Sequence, residues 1–310
     1  MLGALWRLEV ERKPLILSHT INAECNLHCS FCPFHRRKGR EMKKAEIFNM
    51  LDQAKSLGVM IYNVWATEPL LRKDLPECLE YARSRGLITS IITNGILLEE
   101  RVEELSSLDL LSVSFEGIKT YKEIRDGDAE LVIRGIKKAR EKGLSVMLNC
   151  VLSEKNTGEV EDLIKLAREL GTSISFEPLQ RYEELPESVW NEMMIKNRNN
   201  YIKAIDSIIE MKRKGFPIVN SSTYLSMIKK PEQRFKCRAN DVIMHVALDG
   251  KIENCRDLEI CLGRVDEGLD QVWRSSRSLR RKLAAECNGC LAFGYVESSL
   301  ACSLKLDVLF

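Results

Sequence analysis

The sequence predicts an α/β fold, a partial (β/α)6 barrel of the TIM type followed by a small cysteine-rich module. Three observations carry it. Between residue 14 and about 180, short β-rich runs alternate with amphipathic helical runs, the pattern of parallel strands joined by right-handed crossovers. Gly58, Gly86, Gly143 and Gly171 each stand just past a helical run, where a C-terminal glycine belongs. Beyond residue 232 the alternation stops, and six of the eleven cysteines gather there.

Taken in order, the predicted strands are Leu15–Thr20, Met60–Thr67, Leu87–Thr93, Leu110–Phe115, Leu144–Leu152 and Thr172–Pro178. Helices are predicted near 43–57, 74–86, 99–107, 129–143 and 159–171. Six units are too few to close an eight-stranded barrel. The barrel should stay partly open, with its chemistry at the C-terminal strand ends. Pro178 to Pro186 reads as a linker, followed by a long helix over roughly 188–214 and a shorter one over about 222–229. The expected domains are a barrel over 1–182, a helical connector over 183–231 and a module over 232–310.

With 47 basic and 45 acidic residues the net charge is only +2. That balance argues against a dedicated nucleic-acid binder, whose phosphate contacts need a basic field. No apolar run is long enough for a transmembrane segment. The start, MLGALWRLEVERK, lacks the apolar core and cleavage site of a secretion signal. Eleven cysteines without such a signal point to metal-binding or catalytic thiols in a reducing cytoplasm, rather than to disulfides.

Cys25, Cys29 and Cys32, in the run CNLHCSFC, follow the first strand with C-x3-C-x2-C spacing. Three thiolates so close together can hold three corners of a cube-shaped iron–sulfur cluster. The fourth iron then stays open, as one position does in a catalytic metal site. The spacing would also suit one helix face, but Asn26, His28, Ser30 and Pro33 leave no apolar stripe for it. Zinc is the competing occupant and needs a fourth ligand, which His28 or His35 could give. Cys237, Cys255, Cys261, Cys287, Cys290 and Cys302 form a second set, for which structural zinc also competes. Cys78 in a helix and Cys150 in a strand read as core residues. Two basic features complete the reading: the loop HRRKGR just past Cys32, and Arg274, Arg277 and Arg281 on one face of a predicted helix.

The cysteine run after a first strand, followed by five further β/α units, resembles the radical S-adenosylmethionine (SAM) superfamily. The resemblance implies an enzyme whose [4Fe-4S] cluster, on Cys25, Cys29 and Cys32, binds SAM and cleaves it reductively to a 5′-deoxyadenosyl radical. The radical would abstract hydrogen from a peptide or small molecule in an oxidative or bond-forming modification. Phe31 stands at the aromatic position where the family's backbone meets adenine. Ala66-Thr67-Glu68-Pro69 looks like the family's Gly-Gly-Glu-Pro element, with both glycines replaced, so Thr67 and Glu68 would meet the methionine amino group. Asn94 in Thr93-Asn94-Gly95, Ser114, Arg125 and Asn149 are the other cofactor contacts that the resemblance implies. Glu116 and Glu177, at the ends of strands four and six, could face the substrate or serve as ordinary capping carboxylates. A flavodoxin- or ferredoxin-type electron donor is the implied partner.

In the tail, Gly250-x4-Cys255 and Cys287-x2-Cys290 resemble the auxiliary-cluster modules called SPASM or twitch. The seven-cysteine SPASM pattern is incomplete, which implies one auxiliary [4Fe-4S] cluster rather than two. Its implied ligands are Cys237, Cys255, Cys287 and Cys290, with Cys261 as the main competitor. Phe-Lys-Cys237 and Glu-Cys287-Asn-Gly-Cys290 are also similar to the hopanoid-biosynthesis branch, which implies the alternative of adenosyl or other group transfer to a lipid or small molecule. A non-catalytic iron–sulfur or zinc scaffold is the alternative from another class. No motif names the substrate.

Overall fold

A computed structural model describes residues 11–65, 67–230, 235–287 and 289–303. Ala66 therefore lies outside the described residues. Six parallel strands follow one another in space as they do in sequence: β1 (Ile16–Thr20), β2 (Ile61–Trp65), β3 (Ile88–Thr93), β4 (Leu110–Ser114), β5 (Ser145–Leu152) and β6 (Ser173–Pro178). The crossovers carry α1 (Lys44–Leu57), α2 (Leu75–Ser84), α3 (Leu98–Arg101), α4 (Tyr121–Arg125), α5 (Ala129–Glu141) and α6 (Val160–Glu169). This is the partial α/β barrel that the alternation predicts.

The period of two along each strand divides the sheet into an apolar and a polar face. Leu17, Tyr62, Val64, Ile91, Val113, Leu148, Ile174 and Phe176 are fully buried in the main core. On the opposite, lumen face Ser18 lies beside Asn63 and Asn63 beside Ser90, while Ser114, Asn149 and Ser175 form a second row. A lumen lined with serine and asparagine cannot pack as an oily core. It is built to hold something polar.

Two predicted helices differ. The run at 99–107 is the single turn α3, continued by a 3-10 turn over Val102–Glu104. The long helix at 188–214 is two helices, α7 (Glu187–Met193) and α8 (Arg198–Arg213). Met194 is extended, and Asn197 restarts the helix by accepting a hydrogen bond from the Asn200 N–H at 3.0 Å. No glycine or proline marks that break. Helix α9 (Ser222–Lys229) follows.

The C-terminal region enlarges the same sheet. After α10 (Ala239–Val242), strand β7 (Ile243–Val246) pairs parallel with β1, placing His245 beside Ser18. β8 (Lys251–Glu253) and β9 (Cys261–Arg264) add antiparallel, giving the order β6-β5-β4-β3-β2-β1-β7-β8-β9. The β7–β8 turn closes on Asp249-Gly250, with Gly250 at φ 85°, the left-handed geometry that a tight hairpin asks of glycine. α11 (Leu269–Ser275) and α12 (Arg277–Glu286) meet at Ser276. Arg274 therefore does not share a helix with Arg277 and Arg281, and it pairs with Asp270 at 2.9 Å. α13 (Phe293–Cys302) packs against β6 and α9. Among the described residues no helix is long and apolar enough to cross a membrane.

Candidate active site

The loop after β1 carries Cys25, Cys29 and Cys32 to the C-terminal edge of the sheet. Cys29 is buried; Cys25 and Cys32 are half-buried. The loop is tied down from β4's side: the Ser30 N–H donates to the Ile124 carbonyl at 3.1 Å, and Cys32 N–H to the Cys29 carbonyl at 3.2 Å. Burial pushes the Cys29 thiol up to about 12, with Arg125 pulling it back and Cys32, Glu116 and Cys25 pushing further. Burial likewise raises Cys25 and Cys32. The three thiols thus sense one another electrostatically in a dry site, and metal binding there must displace their protons.

Glu68 organises the adjoining strand ends. Its carboxylate, fully buried, accepts from Thr93 Oγ1 at 2.6 Å, the Asn94 N–H at 2.7 Å and the Leu70 N–H at 3.0 Å. Burial raises its pKa against the pull of those three donors. They occupy three of the roughly four acceptor positions a carboxylate offers. Asn94 Nδ2 then bridges to Asn26 Oδ1 at 2.7 Å and lies 3.8 Å from Cys25 Sγ. Glu68, Asn94 and Cys25 are consequently one connected unit.

Thr67 has φ 48°, the left-handed region where a β-branched residue is strained by about 1–3 kcal/mol. Its hydroxyl shares its one proton between the Asn22 carbonyl at 2.7 Å and Asn22 Oδ1 at 3.0 Å, which holds it there. The backbone keeps the shape a glycine would take. Gly95, at φ 81°, is required for a second reason: a Cβ would stand 2.8 Å from Val132 and 2.9 Å from Val113.

On the other side of the thiols stands a buried ion pair. Arg125 forks onto Glu116, with Nη2 to Oε1 at 2.6 Å and Nε to Oε2. The guanidinium also lies 3.7 Å from Cys29 Sγ and 5.6 Å from the Phe31 ring centroid. Positive charge here favours the thiolate form of Cys29.

Comparisons with known proteins bear on the family and the fold. Residues 20–167 match the family described as the Radical SAM superfamily. Residues 20–167 thus form a radical SAM domain. Its relatives include a protein named "Probable GTP 3',8-cyclase" from Methanococcus aeolicus, 33% identical over 49% of this chain and 55% of that protein. Another is the PqqA peptide cyclase of Granulibacter bethesdensis, 32% identical over 52% of this chain and 46% of that one. The chain thus spans about half the length of each. Among solved structures, SuiB of Streptococcus suis bound to S-adenosylmethionine overlays with a TM-score of 0.70 at 20% identity, covering 84% of this chain and 66% of SuiB. That likeness concerns the fold. The domain match implies SAM and a [4Fe-4S] cluster.

Within this radical SAM frame, Cys25, Cys29, Cys32, Phe31, Thr67, Glu68, Asn94 and Arg125 come together in one neighbourhood. Ser114 and Asn149 lie side by side on the lumen face. The Asn149 amide is engaged, accepting from Ser175 Oγ at 2.8 Å and donating to Glu177 Oε1 at 2.9 Å. The other Glu177 oxygen accepts the Phe293 N–H at 3.0 Å, so this carboxylate joins β6 to α13. Two of the four basic side chains of the loop are paired: Arg37 with Glu184 and Glu259, and Arg40 with Glu46.

The second cysteine set also converges. Cys237, Cys255, Cys287 and Cys290 line one cavity of about 420 Å³ with Tyr295 and Leu283. Cys261, exposed at the start of β9, is outside that lining, and Cys302 is buried on α13. Burial pushes the Cys290 thiol up to about 12 and raises Cys237 and Cys255. N–H groups already aim at the sulfurs: Leu258 N–H to Cys255 Sγ at 3.4 Å, and Gly289 N–H to Cys287 Sγ at 3.3 Å.

Sequence reasoning missed Asn22, Asn26, Trp65, Arg256 and Tyr295. Asn22 and Asn26 flank Cys25, and Arg256 follows Cys255 directly, but a polar residue beside a cysteine carries no code of its own.

Proposed function

We propose that this chain cleaves SAM at a [4Fe-4S] cluster held by Cys25, Cys29 and Cys32, and uses the resulting radical to abstract hydrogen from a peptide or small molecule in an oxidative or bond-forming modification. The observation that carries the reading is the linked unit of three thiols, Asn94 and Glu68 at the open end of a polar lumen. The donor set fits the cluster: three mutually sensed thiols, a guanidinium beside one of them, and a side-chain amide beside another.

The residues have separable duties. Glu68 and Thr93 fix the β2 and β3 ends, so that backbone groups there can bind the methionine moiety. Phe31 offers a flat apolar surface for adenine. Ser114 offers a hydroxyl from the lumen face. Arg125, held by Glu116, stabilises negative charge at the thiolates. Barrel walls keep bulk water from a reactive intermediate.

Cys237, Cys255, Cys287 and Cys290 are proposed to hold a second four-iron cluster. Their cavity is far larger than the roughly 30 Å³ share of one water, and N–H donors to cysteine sulfur are a means of tuning cluster potential. Metal and sulfide analysis after anaerobic reconstitution should give about eight irons per chain. The Cys287→Ala, Cys290→Ala protein should keep about half of them. Zinc in place of the second four irons would remove the auxiliary cluster. SAM should change the electron paramagnetic resonance spectrum of the cluster that this double variant retains; an unchanged spectrum counts against the open iron. With a substrate in hand, 5′-deoxyadenosine as product supports abstraction, and an adenosylated adduct supports group transfer.

A further inference from the structure

Arg256 sits between the two cysteine sets and lacks a partner that its surroundings lead one to expect. It follows Cys255 and turns inwards, its guanidinium carbon 5.3 Å from the Trp65 ring centroid and 5.6 Å from that of Tyr295. Tyr182, Glu177 and Cys290 lie within electrostatic reach, and Tyr182 is in turn within reach of Cys32. The backbone N–H of Arg256 donates to Tyr295 Oη at 3.1 Å. Among the described residues, its guanidinium makes no hydrogen bond and no ion pair.

The neighbouring cations differ. Arg125 is clamped by Glu116, and Arg37 by Glu184 and Glu259. Glu177, within electrostatic reach of Arg256, is hydrogen-bonded to Asn149 and the Phe293 N–H instead. A second donor close by is also unused: Trp65 Nε1, in a side chain only 9% exposed, has no acceptor among the described residues. Half-buried donors without acceptors cost free energy. Five guanidinium N–H groups and one indole N–H framed by aromatic walls ask for an oxyanion.

Charge decides which oxyanion fits. A nucleoside triphosphate brings several negative charges and is ordinarily met by a lysine, arginines and a divalent cation together. Here one guanidinium has no hydrogen-bonded partner among the described residues, and it can match at most one negative charge. A single carboxylate matches that balance.

We infer that Arg256, with the Trp65 indole N–H, receives a carboxylate of the substrate inside the barrel, an acidic side chain or a C-terminus of a peptide. The inference rests on the proposed radical chemistry for the reason a substrate enters this lumen. Its test needs no turnover, so the two can fail separately.

The reconstituted full chain with SAM is titrated with acetyl-Gly-Glu-Gly-amide, its glutaminyl counterpart and GTP, and binding is read by saturation-transfer NMR. The glutamyl peptide should bind roughly tenfold more tightly than the glutaminyl one, the size of a charge-assisted hydrogen bond. Arg256→Gln should erase that preference. Arg256→Lys should keep part of it, and a thermal melt close to that of the unaltered protein shows that the variants are folded. Equal binding of the two peptides, or a preference that survives in Arg256→Gln, overturns the inference. GTP displacing the glutamyl peptide only when Arg256 is present also overturns it, by assigning the guanidinium to phosphate. A protein that shows the carboxylate preference yet leaves SAM intact loses the proposed chemistry and keeps this site.

Discussion

Cys29→Ala should abolish 5′-deoxyadenosine formation, with a loss greater than the roughly 10–100-fold that removing a supporting partner of a metal ligand costs. Cys29 is the most buried of the three thiols and the one that Arg125 approaches. Cys78, sealed in the core, and Cys150, against the Glu116 carbonyl at 3.8 Å, are not placed to substitute for it. Alanine keeps most of the apolar volume of a buried thiol, so the fold should survive, and a melting curve checks that it does. Iron should fall by about half, since a cube held at two corners is poorly retained. Full activity in the Cys29→Ala protein would falsify the assignment of this loop.

Glu116→Ala should destabilise the protein by about 3–5 kcal/mol, because it leaves the Arg125 guanidinium buried without its partner. Glu116 is 1% exposed and Arg125 8%, so solvent cannot replace the lost carboxylate. Arg125 cannot escape by giving up its proton. Thermal unfolding should shift down on the order of 10 °C. Replacing both partners with apolar groups, Glu116→Leu with Arg125→Met, should recover most of that stability, since no charge then stays buried. The double variant separates stability from chemistry. It should fold, yet hold the Cys29 thiolate less well. A Glu116→Ala protein that melts within a degree or two of the original would show that the ion pair is not buried as described.

The barrel was legible because its signals are local. Each strand is a short apolar run, four of the crossover helices end at a glycine, and the cysteine spacing lies within one loop. The break at Met194 was illegible because the punctuation is a side-chain cap from Asn197, not a glycine or proline. Ser276 divides the arginine face for a similar reason, lying between two helices that both look continuous in sequence. Strand β7 pairs with β1 across more than two hundred residues, and no local pattern announces such a contact.

The candidate site divides along the same line. The thiols and Glu68 could be read from short motifs. The four donors and acceptors that lock Thr67 and Glu68 could not, because Asn22, Thr93 and Asn94 are distant in sequence and Leu70 acts through a local turn. Glu116 and Glu177 look equivalent in sequence, each an acid at a strand end. The fold gives one to Arg125 and the other to Asn149 and the Phe293 N–H. Arg256 is the clearest case. Its sequence neighbour Cys255 faces the second cysteine cavity, while its own side chain reaches back to Trp65 on β2.

The most direct test of the account is to reduce the anaerobically reconstituted protein in the presence of SAM and measure 5′-deoxyadenosine and methionine. Both products are expected in equal amounts from the unaltered chain, and neither from Cys29→Ala. Intact SAM after reduction, in a protein whose Cys25, Cys29 and Cys32 cluster is fully loaded, would contradict it.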